Sequence, residues 1–202
     1  MVTIRYRSMR DFIIVLCLLP SLGLSQNVES NFYSQLADSA ETLSLDRVIY
    51  NPAYFLINYP NGDIPEDKGV CTDVVIRAYR KLGIDLQQAM HEDMKNNFDL
   101  YPGIWGLSST DRNIDHRRVP NLMKFFERHG ESLVMSSNPT DYQPGDIVCW
   151  NLGGATTHIG IVTDELSSDQ SRYQIIHNIG GGQVIEDMLF DFRIIGHYRY
   201  EK

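Results

Sequence analysis

Gly69-Val70-Cys71-Thr72-Asp73-Val74-Val75-Ile76-Arg77-Ala78-Tyr79-Arg80-Lys81-Leu82-Gly83 is the stretch on which the reading of this chain turns. Apolar residues at 74, 75, 78, 79 and 82 make one stripe at helical spacing. Gly83 can take the positive φ with which helices commonly end. The spacing therefore predicts an amphipathic helix that opens at Cys71. The first N–H groups of a helix lack intrahelical partners, and its dipole makes that end positive. A free thiol has a pKa of about 8.5, and a helix N-terminus is expected to lower it. The same N–H groups can later hold an oxyanion.

Around this helix the pattern is helices first, strands second. A helix is expected after Ser30, another from Asp85 with Leu86, Met90 and Met94 on one stripe, and a third from Pro120 to a stop at Gly130. Residues 99–114, with Trp105, read as a long loop. Then the period changes. Ile147 to Trp150, His158 to Thr163, Tyr173 to Ile179, Val184 to Glu186 and Ile194 to Tyr200 read as strands. No strand–helix alternation is present, which argues an α+β fold: N-terminal helices packed on a C-terminal antiparallel β-sheet or partial barrel.

The chain has 202 residues and 43% hydrophobic content, enough for one domain with a real core. Residues 1–25 differ in kind. Arg5, Arg7 and Arg10 precede a short apolar run, Phe12 to Leu19, and small residues lie before Gln26. That is the pattern of a secretory signal cleaved near Ser25-Gln26. It implies a periplasmic or secreted protein with no stable membrane insertion after cleavage, residues 26–202 forming a single domain. The net charge is −8, a poor basis for binding nucleic acid or an anionic membrane. Beyond the leader only Cys71 and Cys149 remain. Two cysteines are no disulfide framework, although one Cys71–Cys149 bridge is the rival use of Cys71.

The strands at 158–163 and 173–179 are expected to form an antiparallel hairpin across the polar segment 164–171. One register sets His158 opposite His177, and the next sets Asn178 there. Either gives the His158 imidazole a polar neighbour that fixes its tautomer. A cysteine nucleophile (Cys71), a histidine base (His158) and an orienting third residue (His177, or alternatively Asn178) form the generalised triad.

These residues resemble the NlpC-type cell-wall cysteine peptidases, a bacterial branch of the papain-like fold. The resemblance rests on the helix-capping cysteine, Gly145-Asp146-Ile147-Val148, His158-Ile159-Gly160-Ile161-Val162, and the strand that ends in Ile176-His177. It covers roughly residues 55–200, with 85–135 as a helical insertion. The wider blocks Gly69 to Asp73, Asn113-Ile114-Asp115-His116-Arg117-Arg118 and His177-Asn178-Ile179-Gly180 also resemble a secreted bacterial family known only as a domain of unknown function. The resemblance implies a papain-like domain with Cys71, His158 and His177 in the roles above. It also implies an amidase or endopeptidase acting on peptidoglycan stem peptides, without a cofactor. The same thioester chemistry would serve an acyl transferase or esterase, and the same fold a non-catalytic cell-envelope binding protein. The chain has Val70-Cys71-Thr72-Asp73 where the NlpC pattern has Asp-Cys-Ser-Gly, and Tyr59 stands nearest to its upstream tyrosine.

Candidate substrate contacts are Tyr59, Asp73, His116, Arg117 and Arg118. Arginine binds carboxylates bidentately, and stem peptides carry several; the competing reading is a solvated run with internal salt bridges. For a metal, His91-Glu92-Asp93-Met94-Lys95 lacks the second histidine of the helical zinc motif, and no Cys-x-x-Cys is present.

Overall fold

The computed structural model describes residues 31–202. The expected leader over residues 1–25 lies outside the described residues. Helix α1 (Phe32–Glu41) starts after Asn31, whose side chain accepts the Ser34 N–H at 2.9 Å. Two short strands, β1 (Ile49–Tyr50) and β2 (Lys68–Gly69), pair in parallel just before α2 (Cys71–Lys81). The Asp73 carboxylate reaches back to the Val70 N–H at 2.7 Å and caps α2. At its far end Gly83 has φ +80. There the Gly83 N–H bonds the Arg80 carbonyl at 2.9 Å, and the Ile84 N–H bonds that of Tyr79 at 3.1 Å. This double bond across a left-handed glycine is a Schellman close. Helices α3 (Leu86–Asn96) and α4 (Val119–His129) follow, with Asp85 capping the first and Pro120 in the opening turn of the second.

The remaining chain is sheet. Strands β3 (Glu131–Ser132), β4 (Ile147–Gly153), β5 (Thr156–Leu166), β6 (Tyr173–His177), β7 (Val184–Glu186) and β8 (Arg193–Arg199) form six antiparallel strands in the order β3-β8-β4-β5-β6-β7. The fold is therefore α+β, as the change of period argued. Among the described residues no helix is long and apolar enough to cross a membrane.

Alternation along the strands sorts the side chains onto two faces. Ile147, Cys149, Ile159, Ile161 and Ile176 face α1, α2 and α4 and join Leu36, Val75, Tyr79, Leu122 and Phe126 in the main core. Val148, Trp150, Val162 and Ile175 face the other way and are covered by Tyr142, Met188 and Leu189. The Trp150 indole N–H, buried there, donates to the Leu189 carbonyl at 2.9 Å, so no polar atom of the ring is left unpaired.

The β5–β6 register differs from both expected ones. Val162 lies opposite Ile175 and Ile161 opposite Ile176, with an irregularity before Leu166. That is two residues away from the pairing that opposes His158 to His177, and it excludes the pairing that opposes His158 to Asn178. A two-residue slip keeps every side chain on its expected face, whereas a one-residue slip would reverse them all. Carried one step on, the register sets His177 beside Gly160. A Cβ on Gly160 would lie 2.6 Å from Ile175 Cγ2 and 3.3 Å from His177 Cβ. The missing side chain lets the His177 ring lean diagonally toward His158.

Candidate active site

Cys71 is the first residue of α2 and is only 8% exposed. Its sulfur is approached by three backbone N–H groups, those of Ile159, Thr72 and Cys71 itself. Two come from the open helix end and the third from β5, where β6 has already ended. Burial nevertheless raises the thiol to about 12, with the Asp73 carboxylate adding to the rise. The expectation of a lowered thiol pKa is therefore overturned here: removal from water outweighs the helix end. Both cysteines are free thiols, which removes the Cys71–Cys149 bridge. Cys149 is fully buried in the main core.

His158 lies opposite Trp150 on β4, and its ring packs against the indole with centroids 5.9 Å apart. The ring therefore stands on the sheet face away from the helices. Its hydrogen bond is to His177, Nε2 to Nδ1 at 3.0 Å, and not to the thiol. The two rings meet edge to face at 87°. His177 Nε2 in turn meets Glu186 Oε2 on β7 at 3.1 Å. This chain fixes the protons. An ionised carboxylate only accepts, so His177 carries its proton on Nε2. His177 Nδ1 then accepts from His158 Nε2. That leaves the lone pair of His158 on Nδ1, the nitrogen nearer its own backbone. The next peptide along supplies the Ile159 N–H that meets the sulfur. Burial, then the neighbouring His177, brings His158 down to about 3. Burial also lowers His177, partly offset by Glu186. The pair is thus held as neutral imidazoles.

The structure brings Cys71, His158 and His177 to one end of β5 but leaves the other expected contacts elsewhere. Asn178 bonds the Gly69 carbonyl at 3.4 Å, tying β6 to the start of α2 rather than orienting His158. Asp73 caps α2 and forms a fork with Arg117, Nε–Oδ1 2.9 Å and Nη2–Oδ2 3.1 Å. Arg117 also holds the Ala53 and Asn51 carbonyls at 3.0 and 3.3 Å. These two residues are structural, because their charges are spent on each other and on the loop that carries β1. His116 is buried and brought down by burial to about 3, so it is neither exposed nor charged for a ligand. Tyr59 packs against His91 at 5.1 Å and beneath Arg112, away from the cysteine.

Cys71 opens instead into a groove of about 480 Å³ whose lining includes Tyr50, Val70, Trp105, Arg118 and Thr157. Tyr50, not Tyr59, is the tyrosine beside Cys71; its hydroxyl is shifted upward by burial first and then by Cys71. Nothing in the sequence singled it out, because a two-residue strand has no readable period. Glu186 was missed for a related reason: its partner is set by the β6–β7 register, in which Val184 opposes His177. Among the described residues no cluster of three His, Cys, Asp or Glu could hold a metal ion.

Comparison with known proteins adds kinship. The chain is 49% identical over 173 residues to Uncharacterized protein YijF of Escherichia coli (strain K12), which covers 86% of this chain and 84% of that one. No solved structure matches it. Residues 37–200 match the family described as Domain of unknown function (DUF1287). That span takes in α2, the groove, both histidines and Glu186, and the chain belongs to this family.

Proposed function

We propose that this protein is a secreted or periplasmic cysteine hydrolase of papain-like, NlpC-type kinship that cleaves amide bonds in peptidoglycan stem peptides. The observation that carries the reading is the Glu186–His177–His158 chain, which leaves the lone pair of His158 on the nitrogen next to the peptide that meets Cys71 Sγ. A neutral thiol and a neutral imidazole favour general-base attack over a preformed ion pair. Proton transfer requires Cys71 Sγ to meet His158 Nδ1 in the substrate complex, while Nε2 stays bonded to His177.

In the reaction, His158 Nδ1 takes the Cys71 proton as Sγ bonds to the amide carbon. Helix-terminal N–H groups hold the oxyanion. His158 then protonates the departing nitrogen, the C–N bond breaks, and a thioester remains. Water, deprotonated by His158, attacks it; the C–S bond breaks and the thiol is restored. Cys71→Ala should abolish release of peptide fragments from purified peptidoglycan, read by mass spectrometry, with an unchanged circular dichroism spectrum. Equal release by that variant would end the proposal. The high thiol pKa favours one second reading, a non-catalytic envelope-binding protein. Incubation of the wild-type protein with purified peptidoglycan separates the two: fragment release supports the hydrolase, and binding without release supports the binding protein.

A further inference from the structure

We infer that Arg118, braced by Trp105 and Asp115, is the carboxylate-binding residue of the Cys71 groove, and that a second pocket behind Trp105 receives the side chain next to that carboxylate. This rests on the groove being the substrate site proposed above. The protein is acidic overall, at −8, yet among the described residues the only side chains with a permanent charge lining this groove are Arg117 and Arg118. Arg117 is occupied: its side chain is 2% exposed, and its fork is filled by Asp73 and two carbonyls. Arg118 is not.

Arg118 immediately precedes α4, so its backbone is fixed. Its Nη1 bonds Asp115 Oδ1 at 3.0 Å, and its guanidinium carbon lies 4.2 Å from the Trp105 ring centroid. Asp115 is buried and is held in turn by the Asp111 N–H. One edge and one face of the guanidinium are therefore braced, and Nη1 is only one corner of a group with five N–H donors. The side chain is 17% exposed, enough to reach a ligand and too little to be fully hydrated. A guanidinium held in this way loses little entropy when it takes a carboxylate through its remaining donors.

Trp105 and Arg118 also form the wall of a second cavity of about 290 Å³, lined by Met94, Phe98, Tyr101 and Leu107, with Asp99 also in its wall. This cavity is built by α3, the turn after it and the loop that follows. Those segments belong to the stretch the sequence reading treats as an insertion into the minimal enzyme fold. A ligand that spans the two spaces carries a free carboxylate at Arg118 and a side chain behind Trp105, with its amide over Cys71.

Muropeptides in their native form and with their carboxyl groups converted to carboxamides are the probes, titrated calorimetrically into the Cys71→Ala protein so that no turnover intervenes. Native muropeptides should bind at least tenfold more tightly than amidated ones, and this preference should shrink as salt rises. Adding Arg118→Gln should erase the preference, and Arg118→Lys should restore part of it. Trp105→Ala, which leaves the ion pair intact, should weaken both probes and serves if Arg118→Gln does not fold. Equal binding of both probes, no binding of either, or a preference that survives Arg118→Gln would overturn the inference. Failure of the hydrolase reading looks different: the wild-type protein leaves muropeptides intact while Cys71→Ala still discriminates between them.

Discussion

At the scale of single residues, the property that matters is where one lone pair sits. Glu186 is the only member of the His158–His177–Glu186 chain that cannot donate when ionised, so it sets the tautomer of both rings. Its side chain is 55% exposed, which limits its grip. Glu186→Gln should therefore reduce kcat about tenfold, far less than loss of a fully buried orienting carboxylate. Glu186 also raises the His177 pKa against the downward pull of burial. Removing its charge should move the acid limb of the pH–rate profile to lower pH, and Glu186→Asp should restore part of both effects. An unshifted acid limb in the Gln variant would show that Glu186 only supports the strand. The types and strands of Cys71, His158 and His177 were legible in the sequence, because a helix start and two β periods are local patterns. The bond between the histidines was legible only as a neighbourhood. Its route depends on a register shifted by two and on the gap at Gly160. Glu186 was not legible at all, since no local pattern links β7 to β6.

At the scale of elements, the pair that fixes α2 is the one the sequence offered as a substrate contact. Arg117 and Asp73 are 2% and 3% exposed, and Arg117 links the cap of the Cys71 helix to the loop of Asn51 and Ala53. Removing one partner of such a buried pair leaves an uncompensated charge and costs about 3–5 kcal/mol. Arg117→Met should lower the denaturant-unfolding free energy by that amount. Lys124→Ala, which breaks the exposed Lys124–Glu127 pair within one helix turn, should change it by less than about 0.5 kcal/mol. A loss below about 1 kcal/mol for Arg117→Met would mean that the pair does not anchor α2. Sequence spacing placed the helices because each buries a continuous stripe. It could not separate Arg117 from Arg118, because the difference lies in which neighbour each side chain finds across the fold, Asp73 for one and Trp105 for the other.

At the scale of the whole molecule, the α+β order was readable from the single change of period near residue 147. The acid response was not, because it depends on which histidines the packing encloses. Burial brings His116 and His158 each down to about 3, and His91 and His177 are lowered as well. An unfolded histidine titrates near 6.5, so below about pH 6.5 the unfolded chain takes up protons that the folded chain refuses. Stability should fall as pH drops from there toward 3. Glu41 acts in the opposite direction. Burial, opposed by the Asp164 N–H it accepts at 2.8 Å, lifts its carboxyl to about 7. An unfolded glutamate titrates near 4.3, so the contribution of Glu41 is fully present below that pH and is lost as pH rises through 7. Four lowered histidines outnumber the two raised carboxyls, Glu41 and the buried Asp115, and the thermal midpoint should decline from pH 6.5 to pH 4. The opposing contribution can be isolated with Glu41→Gln, which keeps an oxygen for the Asp164 N–H and has no charge to bury beside Asp164 and Glu165. Its midpoint should exceed that of the wild type at pH 8 and approach it at pH 4. A gain of equal size at both pH values would trace the effect to packing, and no gain at pH 8 would show that Glu41 is not protonated by the fold.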